Sequence, residues 1–307
     1  MKIVKDFKID KKTSVDELVK QMSESGGFTS KKLAVGIEIV EKMIKDKDSL
    51  NFLSFPADII ATGTRGVIKS LVEKKLFHIL ITTCGTLDHD LARSFKDYFH
   101  GDFNMDDRDL HKKGINRLGN VLVPNDSYGI IIEKKMREIL DELWKEGKKE
   151  LSTCELCWEL GKRIENKSSI LHWAYVNKIP IIVPGITDGA VGYQIWMFSQ
   201  DHDFKINLLK DEQFLNDKVW KAKKSGALII GGGISKHHVI WWNQFKDGLD
   251  YAVYISTAVE YDGSLSGAKP HEAVSWGKIN EKADFVSIEE DATVALPIIL
   301  ASLQERI

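Results

Sequence analysis

Four short runs, 78–83, 179–183, 227–230 and 251–255, are almost continuously apolar and rich in β-branched residues. They do not alternate between apolar and polar, so both faces of each run must be buried, as in parallel strands covered on two sides. Stretches of helical periodicity separate them, over 31–45, 128–146, 154–165, 212–223 and 292–305. Strand and helix in alternation predict an α/β fold: a parallel sheet with helices on both faces. Residues 1–28 are more loosely polar and read as a short N-terminal helical extension. Its helix opens on the capping box Ser14 to Glu17 and runs through Met22, and Gly26-Gly27 ends the segment. Residues 29–307 contain no Pro- or Ser-rich linker and no internal repeat, which predicts one catalytic domain.

Ligands of parallel α/β sheets bind beyond the carboxyl ends of the strands. Four such ends here are rich in glycine and small hydroxyl residues: Thr82 to Asp90, Pro184 to Gly189, Gly231 to His238, and Ser256-Thr257-Ala258 leading to Gly267. Such residues let a ligand approach the backbone and present N–H groups to phosphate. The triple glycine at 231–233 is not the dinucleotide fingerprint and by itself suits a tight turn equally well. Four ends of this kind in one chain favour a dinucleotide site.

The segment His271 to Lys278 carries the sharpest chemistry. Gly277 separates Trp276 from Lys278, so an indole and an amine can share one cavity. A lysine against an aromatic wall loses solvation, which favours the neutral, nucleophilic amine. A solvated lysine after a core tryptophan is the competing reading. His237-His238 follows the glycines at an expected helix start, and an imidazole suits proton abstraction. Metal ligation is disfavoured, because adjacent histidines diverge and no ligand cluster has metal spacing; Cys154 and Cys157 supply two thiols of the four that zinc needs. No metal is expected.

Forty-three basic against forty-five acidic residues give a net charge of −2, which implies no nucleic-acid partner. No run approaches the ~20 apolar residues of a membrane span, and three cysteines make no disulfide framework. A cytoplasmic protein is expected.

Six segments, ATGTRG (61–66), ITTCG (81–85), GINRLGNVLVPNDSYG (114–129), ITDGAVG (186–192), GGGISKHH (231–238) and the run 250–279 ending HEAVSWGKI, together resemble the deoxyhypusine synthase family, in its archaeal form. The likeness runs from about Phe28 to the carboxyl end. It implies a Rossmann-like domain, a homotetramer, and NAD as cofactor. The implied reaction moves the aminobutyl group of spermidine to one lysine of a translation initiation factor 5A-type protein, through an imine on an enzyme lysine. By motif, Lys278 corresponds to that lysine and His237 to the proton-accepting base. Asp88, His89, Tyr193, Asp262, Gly263, Ser264, Leu265, Glu272 and Trp276 correspond to the polyamine site. Ala57, Asp58, Ile59, Ile60, Ala61, Thr83, Cys84, Gly85, His89, Asp188, Gly232, Thr257, Ala258, Asp291 and Ala292 correspond to the NAD site. The first ~20 residues resemble a segment able to cover the active-site entrance.

Tyr193 and Leu265 stand where the family's eukaryotic pattern has aspartates, and His89 where it has a glutamate. A protonated triamine meeting fewer carboxylates is desolvated without compensation. Alternatives are therefore a relative that uses another donor such as agmatine, or that hands the aminobutyl group to a small amine as a homospermidine synthase does. A catalytically silent NAD-binding subunit is a third reading, against which stand Lys278, His237, Trp276 and Glu272.

Overall fold

The computed structural model describes residues 1–307 and has the expected α/β fold, parallel strands between helices. The chain forms two compact units, residues 1–55, 76–78 and 215–307, and residues 56–75 with 79–214.

In the first unit four parallel strands lie in the order Ile279–Ile288, Leu249–Ile255, Lys224–Ile230, Ser49–Ser54. Ser49–Ser54 and Ile279–Ile288 are additions to the expected set. The first is interrupted by Asn51, whose amide is buried but accepts from Ser49 Oγ at 2.6 Å and donates to Met43 O at 3.0 Å. The second is an edge strand with Glu281 and Lys282 exposed, so it lacks the signature of a strand buried on both faces. The helix Phe28–Lys45 covers the sheet through Ile37, Val40 and Met43, all fully buried. Its contact is close at Gly36, where a Cβ would lie 2.7 Å from Ile288 Cδ1.

The expected N-terminal helix is present as Val15–Glu24, capped by the Ser14 side chain, and is firmly docked rather than loose. It packs on Phe28–Lys45 and on Ala292–Arg306. Asp16 is buried there, accepting from Ser302 Oγ at 2.8 Å and pairing with Lys20 and Arg306. Burial opposes its ionisation, but the bonds from Lys20, Ser302 and Arg306 outweigh it and hold its pKa at about 2. Ahead of this helix, Lys8 N donates to Gln21 Oε1 at 2.7 Å and draws the first residues back along it.

The second unit pairs Ile79–Ile81 in parallel with Ile181–Ile182. It adds an antiparallel trio, Phe99–His100, Val121–Pro124 and Ile115–Leu118. Its core is pinned by the buried pair Arg65 Nε–Asp90 at 2.7 Å. Asp90 also accepts from Ser169 Oγ and from the N–H groups of Ile170 and Leu171, at the start of the helix Ile170–Asn177. Cys84, Cys154 and Cys157 are all buried and unpaired, and no helix is long and apolar enough to cross a membrane.

Candidate active site

The position of Lys278 is set by the end of a helix. Pro270–Ser275 is followed by Trp276 as C-cap and by Gly277 at φ 67°, a left-handed conformation that favours glycine. Gly277 N donates to Val274 O, and Lys278 N to Ala273 O, each at 2.9 Å. These two bonds make a Schellman termination, with Lys278 at its second position beyond the cap. Lys278 O then accepts from Leu249 N, which carries the chain into the Ile279–Ile288 strand. The sequence Trp-Gly-Lys therefore sends indole and amine out of one tight turn. Lys278 Nζ stands 5.2 Å from the centroid of the Trp276 ring, whose residue is 67% exposed and so leaves a face for a ligand.

Both side chains line a cavity of about 200 Å³ with Lys236, Tyr254, Leu265 and Glu272. Glu272 is the one carboxylate among its lining residues. His237 lies on the helix Gly233–Asn243, its ring stacked on Trp241 at 5.7 Å. Burial, and then the nearby Lys278 charge, hold His237 below the ordinary imidazole value, which leaves it a neutral base at pH 7. His237 therefore senses the charge of Lys278. Asp262, Gly263 and Ser264 form an exposed turn before Leu265, closed by Ser264 N donating to Asp262 Oδ1 at 2.6 Å.

Glycine at 232, an expected NAD-site position, also makes a close contact within the protein. A Cβ there would lie 2.2 Å from Ser266 Oγ and 2.5 Å from Ser266 Cα, so the missing side chain admits the 263–268 loop. Gly233, at φ 66°, has nothing within 4 Å of its missing Cβ and opens the N-terminus of Gly233–Asn243 to a ligand. The same unit brings Thr257 and Ala258 to the end of the Leu249–Ile255 strand, and Asp291 as N-cap and Ala292 as first residue of Ala292–Arg306. Asp291 Oδ1 accepts from Thr293 N at 2.8 Å, and the residue is exposed.

The remaining expected NAD residues belong to the second unit. Asp58 and Asp188 are exposed. Thr83 caps the helix Cys84–Ala92, and a Cβ on Gly85 would meet Ala57 alone. Ile59, Ile60, Ala61 and Cys84 bury their side chains in the core, so a ligand reaches them only at the backbone. The second-unit residues taken by themselves suit part of a dinucleotide: the N-terminus of Cys84–Ala92 offers N–H groups, and the exposed Asp58 and Asp188 offer acceptors for ribose hydroxyls.

Two expected polyamine contacts require correction or relocation. Asp88 is buried and its oxygens are already taken, by Ala190 N at 2.9 Å, Val191 N at 2.7 Å, Tyr128 Oη at 2.8 Å and the Cys84 thiol. With three close bonds and a long thiol contact at 3.9 Å, its carboxylate is spent on holding the start of the helix Ala190–Ser199 rather than offered to a ligand. Tyr193, on that helix, is exposed and tilted against Trp196. It lines a separate groove of about 410 Å³ with Glu133, Arg137, Asp141 and His202. His89 Nδ1 lies 2.9 Å from Tyr98 Oη, and burial, with Arg93 adding, pulls its pKa down to about 4. It is therefore a neutral group and does not replace a carboxylate. Lys236 and Tyr254 escaped the sequence reading, although Lys236 immediately precedes the histidine singled out in it.

Comparison with known proteins points in one direction. The family model for deoxyhypusine synthase matches residues 17–303. The chain is 60% identical over 299 residues to a probable deoxyhypusine synthase of Picrophilus torridus, covering 97% of this chain and 96% of that protein. A second such protein, from Thermoplasma volcanium, is 56% identical over 301 residues, covering 98% and 96%. Among solved structures, one assigned to deoxyhypusine synthase from Entamoeba histolytica superposes with a TM-score of 0.66 at 21% identity, covering 97% and 96% of the two chains. AgrE in complex with ornithine and NAD+ shares the fold at a TM-score of 0.53 and 13% identity, covering 98% of this chain and 34% of AgrE.

Proposed function

Because the chain belongs to the deoxyhypusine synthase family, we propose that it transfers the aminobutyl group of spermidine to a lysine of a translation initiation factor 5A-type protein, with NAD as cofactor and Lys278 as covalent nucleophile. One observation carries this reading: the Schellman turn delivers Lys278 and Trp276 to a single cavity that also holds Glu272. NAD, when bound, supplies a hydride acceptor for the donor's carbon–nitrogen unit and later returns the hydride.

This chain's own residues account for the remaining steps. Glu272 attracts a donor ammonium, and the exposed Trp276 face holds a cationic methylene chain. Neutral His237 accepts the proton that the donor nitrogen releases on oxidation. The Lys278 amine adds to the resulting imine carbon, and the 1,3-diaminopropane nitrogen departs with a proton. The four-carbon unit is then held as an imine on Lys278 Nζ. The amine of the protein substrate repeats that exchange and frees Lys278.

Borohydride trapping tests this directly. Enzyme, NAD and spermidine mixed and reduced should give a stable mass increment of one aminobutyl unit on the peptide carrying Lys278. An unmodified Lys278 peptide with the donor cleaved would refute the covalent route.

A second reading concerns the donor and is favoured by the single carboxylate of the cavity together with Leu265 and the engaged Asp88. A donor with a different terminal group, such as agmatine, carries fewer protonated amines and would demand fewer acids than spermidine. The same trapping experiment run with each polyamine distinguishes the donors by mass. We also propose that the protein is a cytoplasmic homotetramer, as family membership suggests.

A further inference from the structure

Lys236 has a buried ammonium that none of these steps uses. Its residue is 1% exposed, on the first turn of Gly233–Asn243. Its Nζ donates to Leu265 O at 2.7 Å and to Ala268 O at 2.9 Å, and stands 4.1 Å from the centroid of the Tyr254 ring. Nothing about filling this volume needs a charge, since an apolar side chain of similar length would be cheaper to bury. An ammonium here is explained by what it binds: two carbonyls at either end of the segment that places Leu265 in the cavity. That segment is clasped from its other side too. Ser266 rests against Gly232, and a Cβ on Gly267 would lie 2.0 Å from Val259 O.

We infer that Lys236 is a positioning residue: by bonding the carbonyls of Leu265 and Ala268 it fixes the 264–268 segment, and with it the wall of the donor cavity facing Lys278. This rests on the reading of that cavity as the donor site. Burial, with Lys269 adding and Glu272 opposing, brings the Lys236 pKa down to about 8, in keeping with an ammonium that has no carboxylate bonded to it. Removing the ammonium leaves two part-buried carbonyls without their donor, so the segment loses its shape before the surrounding sheet is disturbed.

The test uses the full-length protein with Lys236→Met, and Lys236→Gln should the first not accumulate folded. Hydrogen exchange at the amides of Gly267 and Ala268, both bonded to Ser264 O, should quicken at least tenfold, while that of Leu249–Ile255 stays unchanged. Donor KM should rise about tenfold or more, with NAD affinity within twofold of wild type. Unchanged exchange at 267–268 in a folded variant would overturn the inference. So would a parallel loss of NAD affinity and of protection throughout the sheet, which would mark Lys236 as a general stability residue. Trapping on Lys278 in the wild type reports separately on the donor-site reading, because the exchange result does not depend on which ligand the cavity takes.

Discussion

Lys278 and His237 are linked by charge, and each predicts something about the other. Lys278→Arg keeps the charge, but a guanidinium stays protonated and forms no imine. Modification of the protein substrate should fall to background, while some cleavage of the polyamine persists; full transfer in that variant would remove the covalent mechanism. The Lys278 charge helps hold His237 below the ordinary imidazole pKa. If His237 is the base proposed above, it works only when deprotonated, so the acid limb of the kcat/KM–pH profile should fall only below ~6.5, the unperturbed value; a limb above that would argue against His237 as the base. Lys278→Met should therefore move the His237 titration upward, observable by NMR on the ring protons without any turnover. An unmoved titration would show that burial alone sets the shift.

Secondary-structure elements were legible where their surroundings were uniform. The strands buried on both faces and the long amphipathic helices announced themselves by composition and period. Ser49–Ser54 was hidden by Asn51, a polar residue whose partners Ser49 and Met43 become apparent only in three dimensions. Ile279–Ile288 was hidden because an edge strand is half polar. In the candidate site, Trp276-Gly277-Lys278 was readable because a local turn rule governs it. Asp88 was not, because its bonding comes from a helix about a hundred residues further on. The ATGTRG motif divides the same way: its Arg65 begins the helix Arg65–Glu73 and closes on Asp90 in the interior. Asp90→Asn would leave a buried guanidinium uncompensated, at a cost of about 3–5 kcal/mol. Urea unfolding should show that loss; a change below ~1 kcal/mol would mean that the Ser169, Ile170 and Leu171 bonds suffice.

On the molecule's surface, Ile234, Trp241 and Phe245 follow one another along Gly233–Asn243 and the turn after it, each more than 40% exposed. Trp241 carries the stacked His237 ring, so this apolar stripe is continuous with the proposed base. An exposed apolar stripe of this kind is a candidate for subunit contact. Native mass spectrometry should find a homotetramer at micromolar concentration, and Trp241→Asp should shift it toward smaller species. A wild-type monomer would remove the proposed assembly. The contact between Gly232 and Ser266 allows no slack, and a single methyl at position 232 would act as a wedge under the segment that bears Leu265. If the cavity is the donor site as proposed, Gly232→Ala should leave the sheet intact yet alter the ratio of kcat/KM for spermidine and agmatine; an unchanged ratio in a folded variant would show that the segment absorbs the methyl, whereas a changed one would make donor choice a matter of less than one carbon atom of room.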